Sequence, residues 1–97
     1  MTEPPDDLTV NRHDQLARYE GRVGTDLATV IEFVAQGQTV IITHTGTEPQ
    51  WRGRGYAGRM TQAALDDIRT RGERVRPECP FTVEFMAAHP EYDDLRG

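Results

Sequence analysis

Three features of the chain carry residue types that reactions use. The first is Arg52-Gly53-Arg54-Gly55-Tyr56-Ala57-Gly58, where the glycines recur as G-x-G-x-x-G. Glycines let a backbone approach an anion with no Cβ atom in the way. The amides at a helix start are unpaired donors, so such a loop is built to meet phosphate. Arg52, Arg54 and Arg59 add charge-assisted bonds at its rim. The second feature is Cys79, the single cysteine, at the end of a short strand and immediately before a proline-led helix. The helix dipole favours the thiolate there, which suits a nucleophile, whereas the bland alternative is a small buried side chain. The third is His44, near the end of the run TVIITHT (39–45). It is either the general base of that strand or a strand-face histidine held by a hydrogen bond.

The other ionisable residues carry weaker claims. Glu48 is a loop acid that can act as a base but reads as solvated. His89 precedes Pro90 and reads as a helix C-terminal cap, and His13 lies in a turn region. No cluster of His, Cys and carboxylates has metal-ligand spacing, so no metal is expected.

Length and charge limit the setting. At 97 residues there is room for a single sheet with two helices, expected over 7–97 behind a disordered acidic tail at 1–6. The net charge of −5 argues against a nucleic-acid or membrane-surface binder. Between Trp51 and Arg76, seven arginines stand against Asp66, Asp67 and Glu73, a local excess of four positive charges that leaves nine negative charges on the rest. That island suits a small polyanion, although Arg69, Arg71, Arg74 and Arg76 read as the solvated face of a helix. One cysteine allows no internal disulfide, the N-terminus lacks the pattern of a signal peptide, and no apolar run approaches a bilayer span. The expected location is the cytoplasm.

The elements that must position these residues follow from periodicity. Strands are predicted at 8–13, 17–23, 27–35 and 39–45, the last two joined as a hairpin through Gln36-Gly37-Gln38. Val40 and Ile42 against Ile41 mark a central strand covered on both faces. Residues 46–55 form a loop. A helix begins near Tyr56, with Ala57, Met60, Ala64 and Ile68 as its apolar stripe and Leu65 widening it. Trp51 beside the loop reads as packing. A strand at 75–79 and a helix from Pro80 to about His89 complete the order ββββαβα, and EYDDLRG ends the chain as an irregular or one-turn helical tail. The fold class is α+β: a mixed, mostly antiparallel sheet with two main helices.

The glycine loop has competing interpretations. A dinucleotide-binding βαβ unit needs the loop directly after a parallel strand, but a ten-residue proline-containing loop intervenes and the preceding strands form hairpins. A nucleotide-hydrolase P-loop requires G-K-[ST], and the chain contains no lysine. The third interpretation places an elongated ligand along the strand that ends in His44-Thr45-Gly46-Thr47, with its phosphates on the helix.

That third arrangement resembles the GNAT superfamily of acetyltransferases. Arg52 to Ala57 match R-x-x-G-x-A, similar to the superfamily's coenzyme A loop. Four motifs in order, His44-Thr45-Gly46-Thr47, Arg52 to Gly58, Pro77-Glu78-Cys79-Pro80-Phe81 and His89-Pro90-Glu91-Tyr92, resemble its small stand-alone YjdJ-like branch over residues 8–95. The resemblance implies acetyl-CoA as co-substrate. Its pyrophosphate would sit on the amides of Gly53, Arg54, Gly55, Tyr56, Ala57 and Gly58 beside Arg52, and its pantetheine along Thr45, Gly46 and Thr47. It also implies acetyl transfer to an amine, either small or on a protein, directly or through Cys79 near the thioester, by a monomer or weak homodimer. The competing function is a CoA-binding module with vestigial or regulatory activity. Two residues depart from the branch: Thr47 stands where valine is usual, and Gly46 where many relatives carry a glutamate, so no base role passes to that position. By comparison with full-length members, the helices after the first strand and the final β-hairpin are missing, and these usually shape the acceptor site.

Overall fold

The computed structural model describes residues 8–97; the tail expected at 1–6 lies outside the described residues. One five-stranded sheet, ordered as in the sequence, is built from β1 (Leu8–His13), β2 (Arg18–Val23), β3 (Asp26–Gln36), β4 (Thr39–Thr47) and β5 (Arg74–Pro77). The first four strands are antiparallel neighbours, and β5 returns parallel to β4 after the crossover helix α1 (Tyr56–Thr70). Helix α2 (Pro80–Ala88) follows β5, and a 3₁₀ helix at Pro90–Leu95 closes the described chain. The α+β class and the ββββαβα order are as expected from the sequence.

Turn chemistry accounts for the hairpins. Gly24 and Gly37 each occupy the first position of a two-residue connection with φ of 62° and 61°, the backbone sign of a type II′ turn. The turn expected at Asp14-Gln15 is a 3₁₀ helix (Asp14–Leu16) that ends on Ala17 in the left-handed region, so β2 starts at Arg18.

The core lies on one side of the sheet. Tyr19, Ile31, Phe33, Val40, Ile42 and Val75 face Met60, Ala64, Leu65 and Ile68 of α1, with Met86, Tyr92 and Leu95 filling the α2 end. Val40, Ile41 and Ile42 are all buried, in keeping with a central strand. The apolar stripe of α1 differs from the expected one in its first turn: Tyr56, not Ala57, enters the core, and Ala57 is half-buried. Three polar ties fasten the layers. Tyr19 donates to Asp67 at 2.7 Å, Tyr92 donates to Asp66 at 2.8 Å, and Arg12 bridges Glu73 at 2.7 Å while stacking on Phe33. The C-terminal tail is more ordered than its composition suggests, with Tyr92 and Leu95 buried and Arg96 bridged to Val75.

β2 crosses α1 at Gly21. A Cβ there would lie 2.7 Å from Thr29 Cγ2, 3.1 Å from Met60 Sδ and 3.2 Å from Leu8 Cδ1. Gly21→Ala is therefore expected to cost about 1–3 kcal/mol of stability through overpacking. Urea unfolding at constant m-value checks this, and a variant as stable as the parent would show that the layers are not in close contact there.

Candidate functional site

β4 and β5 run side by side only as far as the pair Ile42–Pro77. The Ile42 carbonyl then accepts the Glu78 N–H at 2.9 Å and the Cys79 N–H at 3.0 Å, and the chain turns into α2. Beyond that junction, β4 continues from Thr43 to Thr47 with β3 as its only strand neighbour among the described residues. The last stretch is anchored from the β3 side. Thr29 Oγ1 donates to the Gly46 carbonyl at 2.9 Å and lies 3.1 Å from Thr47 Oγ1, and the Glu48 amide donates to the Ala28 carbonyl at 2.8 Å.

The glycine loop closes the far end. Its 3₁₀ turn at Pro49–Trp51 leads to Arg52, whose Nε donates to the Thr47 carbonyl at 3.0 Å and ties the loop to the strand end. Gly53 (φ 77°) and Gly55 (φ 78°) then take left-handed conformations that only glycine adopts without strain. Gly55 is the N-cap of α1 and offers no side chain to the first amides of the helix. Those amides remain available to an anion. Gly58 differs. It lies within the helix at ordinary φ, and a Cβ there would meet nothing within 4 Å.

Strand end and loop enclose an open cleft of about 810 Å³. His44, Thr45, Gly46 and Thr47 line one side, and Arg52, Gly53, Gly55, Tyr56, Ala57 and Gly58 the other. Arg54 does not line it; its guanidinium stacks over Trp51 at 5.1 Å. Trp51 packs edge-on against Tyr56 at 5.9 Å, as expected of a packing residue, but it also forms part of the wall. The Trp51 indole N–H and the Tyr56 hydroxyl are buried without hydrogen-bond partners.

His44 and Cys79 are not brought together. A β-bulge at Glu32/Phe33 leaves Thr43 unpaired, so His44 pairs with Glu32 and Thr45 with the buried Ile31. Simple alternation from Val40 and Ile42 would place His44 on the core face; the extra residue moves it to the opposite face. There its imidazole rests against the bare backbone of Gly46, where a Cβ would lie 3.1 Å from Nε2. Cys79 stands behind the cleft wall, 6% exposed, with Sγ 3.6 Å from Thr45 Oγ1. Burial pushes its thiol pKa up. The Thr45 hydroxyl, the amides of Thr82 and Phe81 and the Thr82 hydroxyl pull it down further, so the net shift is below the ordinary thiol value.

A profile described as GCN5-related N-acetyl-transferase matches residues 18–95. The chain belongs to that family. No curated protein matches the sequence. Among solved structures, the fold is similar to the NMR structure of a GCN5-like putative N-acetyltransferase from Staphylococcus aureus (TM-score 0.69, 17% identity, 93% of this chain and 88% of that one). It is also similar to an acetyltransferase from Bacillus subtilis in complex with CoA (TM-score 0.57, 14% identity, 90% and 73%). A third likeness is to the ribosomal-protein-S18-alanine N-acetyltransferase of Escherichia coli (TM-score 0.64, 7% identity), of which this chain spans about half the length, covering 79% of itself and 53% of that protein. At such identities the likeness is one of fold, the GNAT fold expected from the four motifs. Among the described residues, no helix is long and apolar enough to cross a membrane.

Several residues that line the cleft gave no signal in the sequence. Leu27, Thr29 and Val30 of β3 line the cleft beside β4, and Phe81 joins them from the start of α2. Their types are ordinary for a strand or a helix, and only the tertiary arrangement brings them to the cleft wall. Of the two glycine classes in the loop, backbone conformation demands Gly55 but not Gly58. Gly55→Ala should lower stability by about 1 kcal/mol through left-handed strain, whereas Gly58→Ala should raise it by about 0.5–1 kcal/mol through helix propensity. Thermal denaturation of the pair tests the assignment, and equal shifts in the same direction would refute it.

Proposed function

We propose that the protein is an acetyl-CoA-dependent N-acetyltransferase whose acyl donor lies along the free edge of β4. The observation that carries this reading is the meeting of two unfilled hydrogen-bonding surfaces in one cleft: a strand with a neighbour on one side only and a helix start with an uncapped N-terminus. A pantetheine arm, with its amides, adds to the strand as an extra β-partner would. A pyrophosphate takes the amides at Gly55 to Gly58, with Arg52 at the rim.

The chemistry depends on Cys79, which stands behind the cleft wall beside Thr45. In the covalent route, the Cys79 thiolate attacks the thioester carbonyl carbon, a new S–C bond forms, and the bond to the CoA sulfur breaks. CoA leaves as a thiolate and takes a proton from solvent. The acceptor amine then attacks acetyl-Cys79, the N–C bond forms, and the cysteine sulfur leaves as the amine proton passes to a base. On this reading the base is His44, which lines the cleft from the face of β4 opposite Thr45 and Cys79. A backbone amide of residues 45–47 can polarise the carbonyl. In the direct route the amine attacks acetyl-CoA itself, and Cys79 only shapes the pocket.

A second reading, a CoA-binding module with vestigial or regulatory activity, draws support from Gly46, which brings no carboxylate, and from the burial of Cys79 behind Thr45. One sequence of experiments separates the three. Calorimetry should detect CoA and acetyl-CoA, and incubation with acetyl-CoA should add one acetyl group to the intact mass, absent in Cys79→Ser. Full amine acetylation by Cys79→Ser would leave the direct route. Binding without acetylation or turnover across an amine panel would leave the module, and no binding at millimolar ligand would remove all three.

A further inference from the structure

Thr82 is fully buried, and its hydroxyl has no hydrogen-bond partner. A buried hydroxyl left unpaired gives up its hydration for nothing in return, so such groups in native folds call for an explanation. Its place in α2 supplies one. Cys79 is the N-cap of α2, Pro80 brings no N–H, and Thr82 is the third residue of the helix, one turn from the sulfur. An N-cap position ordinarily presents an oxygen to the amides of the second and third helical residues. Here it presents a sulfur, and no side-chain hydrogen bond caps the helix. A neutral thiol is a weak acceptor, whereas a thiolate is a strong one. Thr45 Oγ1 stands 3.6 Å from the sulfur on the β4 side.

We propose that Thr82 is a positioning residue for Cys79: its hydroxyl is idle beside the thiol, donates to the thiolate, and with Thr45 and the first amides of α2 holds the sulfur as an anion just behind the cleft wall. This role rests on the covalent route proposed above. It serves that route twice, once when the thiolate forms before attack and again when Cys79 departs from the acetyl group. The hydroxyl keeps its own proton throughout.

The surroundings agree with a site made of neutral donors. Burial, two threonine hydroxyls and two amides set the balance at the sulfur, with no charged side chain among them. The titratable and charged groups on the adjoining elements are His44 on β4, Arg74, Arg76 and the following Glu78 on the β5 side, and Glu84 on α2, all exposed. On the neighbouring face of α1, Asp66 and Asp67 are taken by Tyr92 and Tyr19. Titration of Cys79 is thus expected to follow its hydroxyl and amide partners.

Because Cys79 is the single cysteine, its reactivity can be read without ambiguity. The test is the rate of alkylation by iodoacetamide against pH, followed by intact mass, in the full chain and in Thr82→Val and Thr82→Ser. Thr82→Val should raise the apparent pKa by about one unit, and Thr82→Ser should restore it. The Tm of Thr82→Val at neutral pH should equal or exceed that of the parent, because the hydroxyl it removes has no other partner. The pH profile of Cys79 acetylation should move upward by the same amount, while the plateau rate above the pKa stays level or rises, since a more basic thiolate is the better nucleophile. An unshifted alkylation profile overturns the proposal. So does a Thr82→Val chain that melts well below the parent or fails to fold, because the hydroxyl would then have a structural partner. A shifted profile without any acetyl-Cys79 upholds the hydrogen bond and removes the covalent route alone.

Discussion

The carbonyl oxygen of Ile42 receives two amides, those of Glu78 and Cys79, and the cleft owes its existence to that shared junction. Up to it, β4 and β5 are ordinary parallel neighbours. After it, β5 has become the entry to α2, and β4 carries its remaining residues along the sheet with one flank unpaired. Exposed strand edges are usually blunted or covered because they invite pairing. Here the edge is short and opens onto the N-terminus of α1. The same junction fixes Cys79 at the head of α2 and beside Thr45, so cleft geometry and thiol environment come from one local event.

The rest of the molecule supports that junction with few parts. α1, α2 and the C-terminal 3₁₀ helix all contribute to one core on one side of the sheet, and three polar ties from Tyr19, Tyr92 and Arg12 hold the layers in register. The opposite side of β2 is organised by charge. Glu20 is buried among Arg18, Arg22 and His13, and Arg18, aided by Arg22 and His13, holds its carboxyl below the ordinary range against the effect of burial. A buried carboxylate with three possible cationic partners is satisfied without a second hydrophobic layer, which a chain of this length could scarcely supply.

Two irregularities do more for the site than any regular element. The bulge at Glu32/Phe33 turns His44 to the face away from Thr45 and Cys79, so the candidate base and the candidate nucleophile approach from different sides of the same strand. The left-handed pair Gly53 and Gly55 brings the loop back over the strand end, where Arg52 closes it onto Thr47. Both devices work by changing the direction of backbone and side chains without changing the chemistry of the residues involved.

The sequence by itself determined the strand and helix order, the glycine loop ahead of α1, the single cysteine and the family, because periodicity, turn glycines and motif spacing are local properties written in consecutive residues. The backbone angles, not the spacing, separate Gly58 from the glycines that the loop requires. The tertiary structure alone decided which residues share the cleft. Leu27, Thr29 and Val30 belong to it because β3 pairs with the last residues of β4, and His44 changes face because one residue at Thr43 goes unpaired. Tyr56 rather than Ala57 enters the core in the first turn of α1, and Thr82 acquires meaning only from its place one turn from the Cys79 sulfur. Each of these depends on contacts between residues distant in the chain or on a single break in alternation, and neither is encoded in the local pattern of residue types.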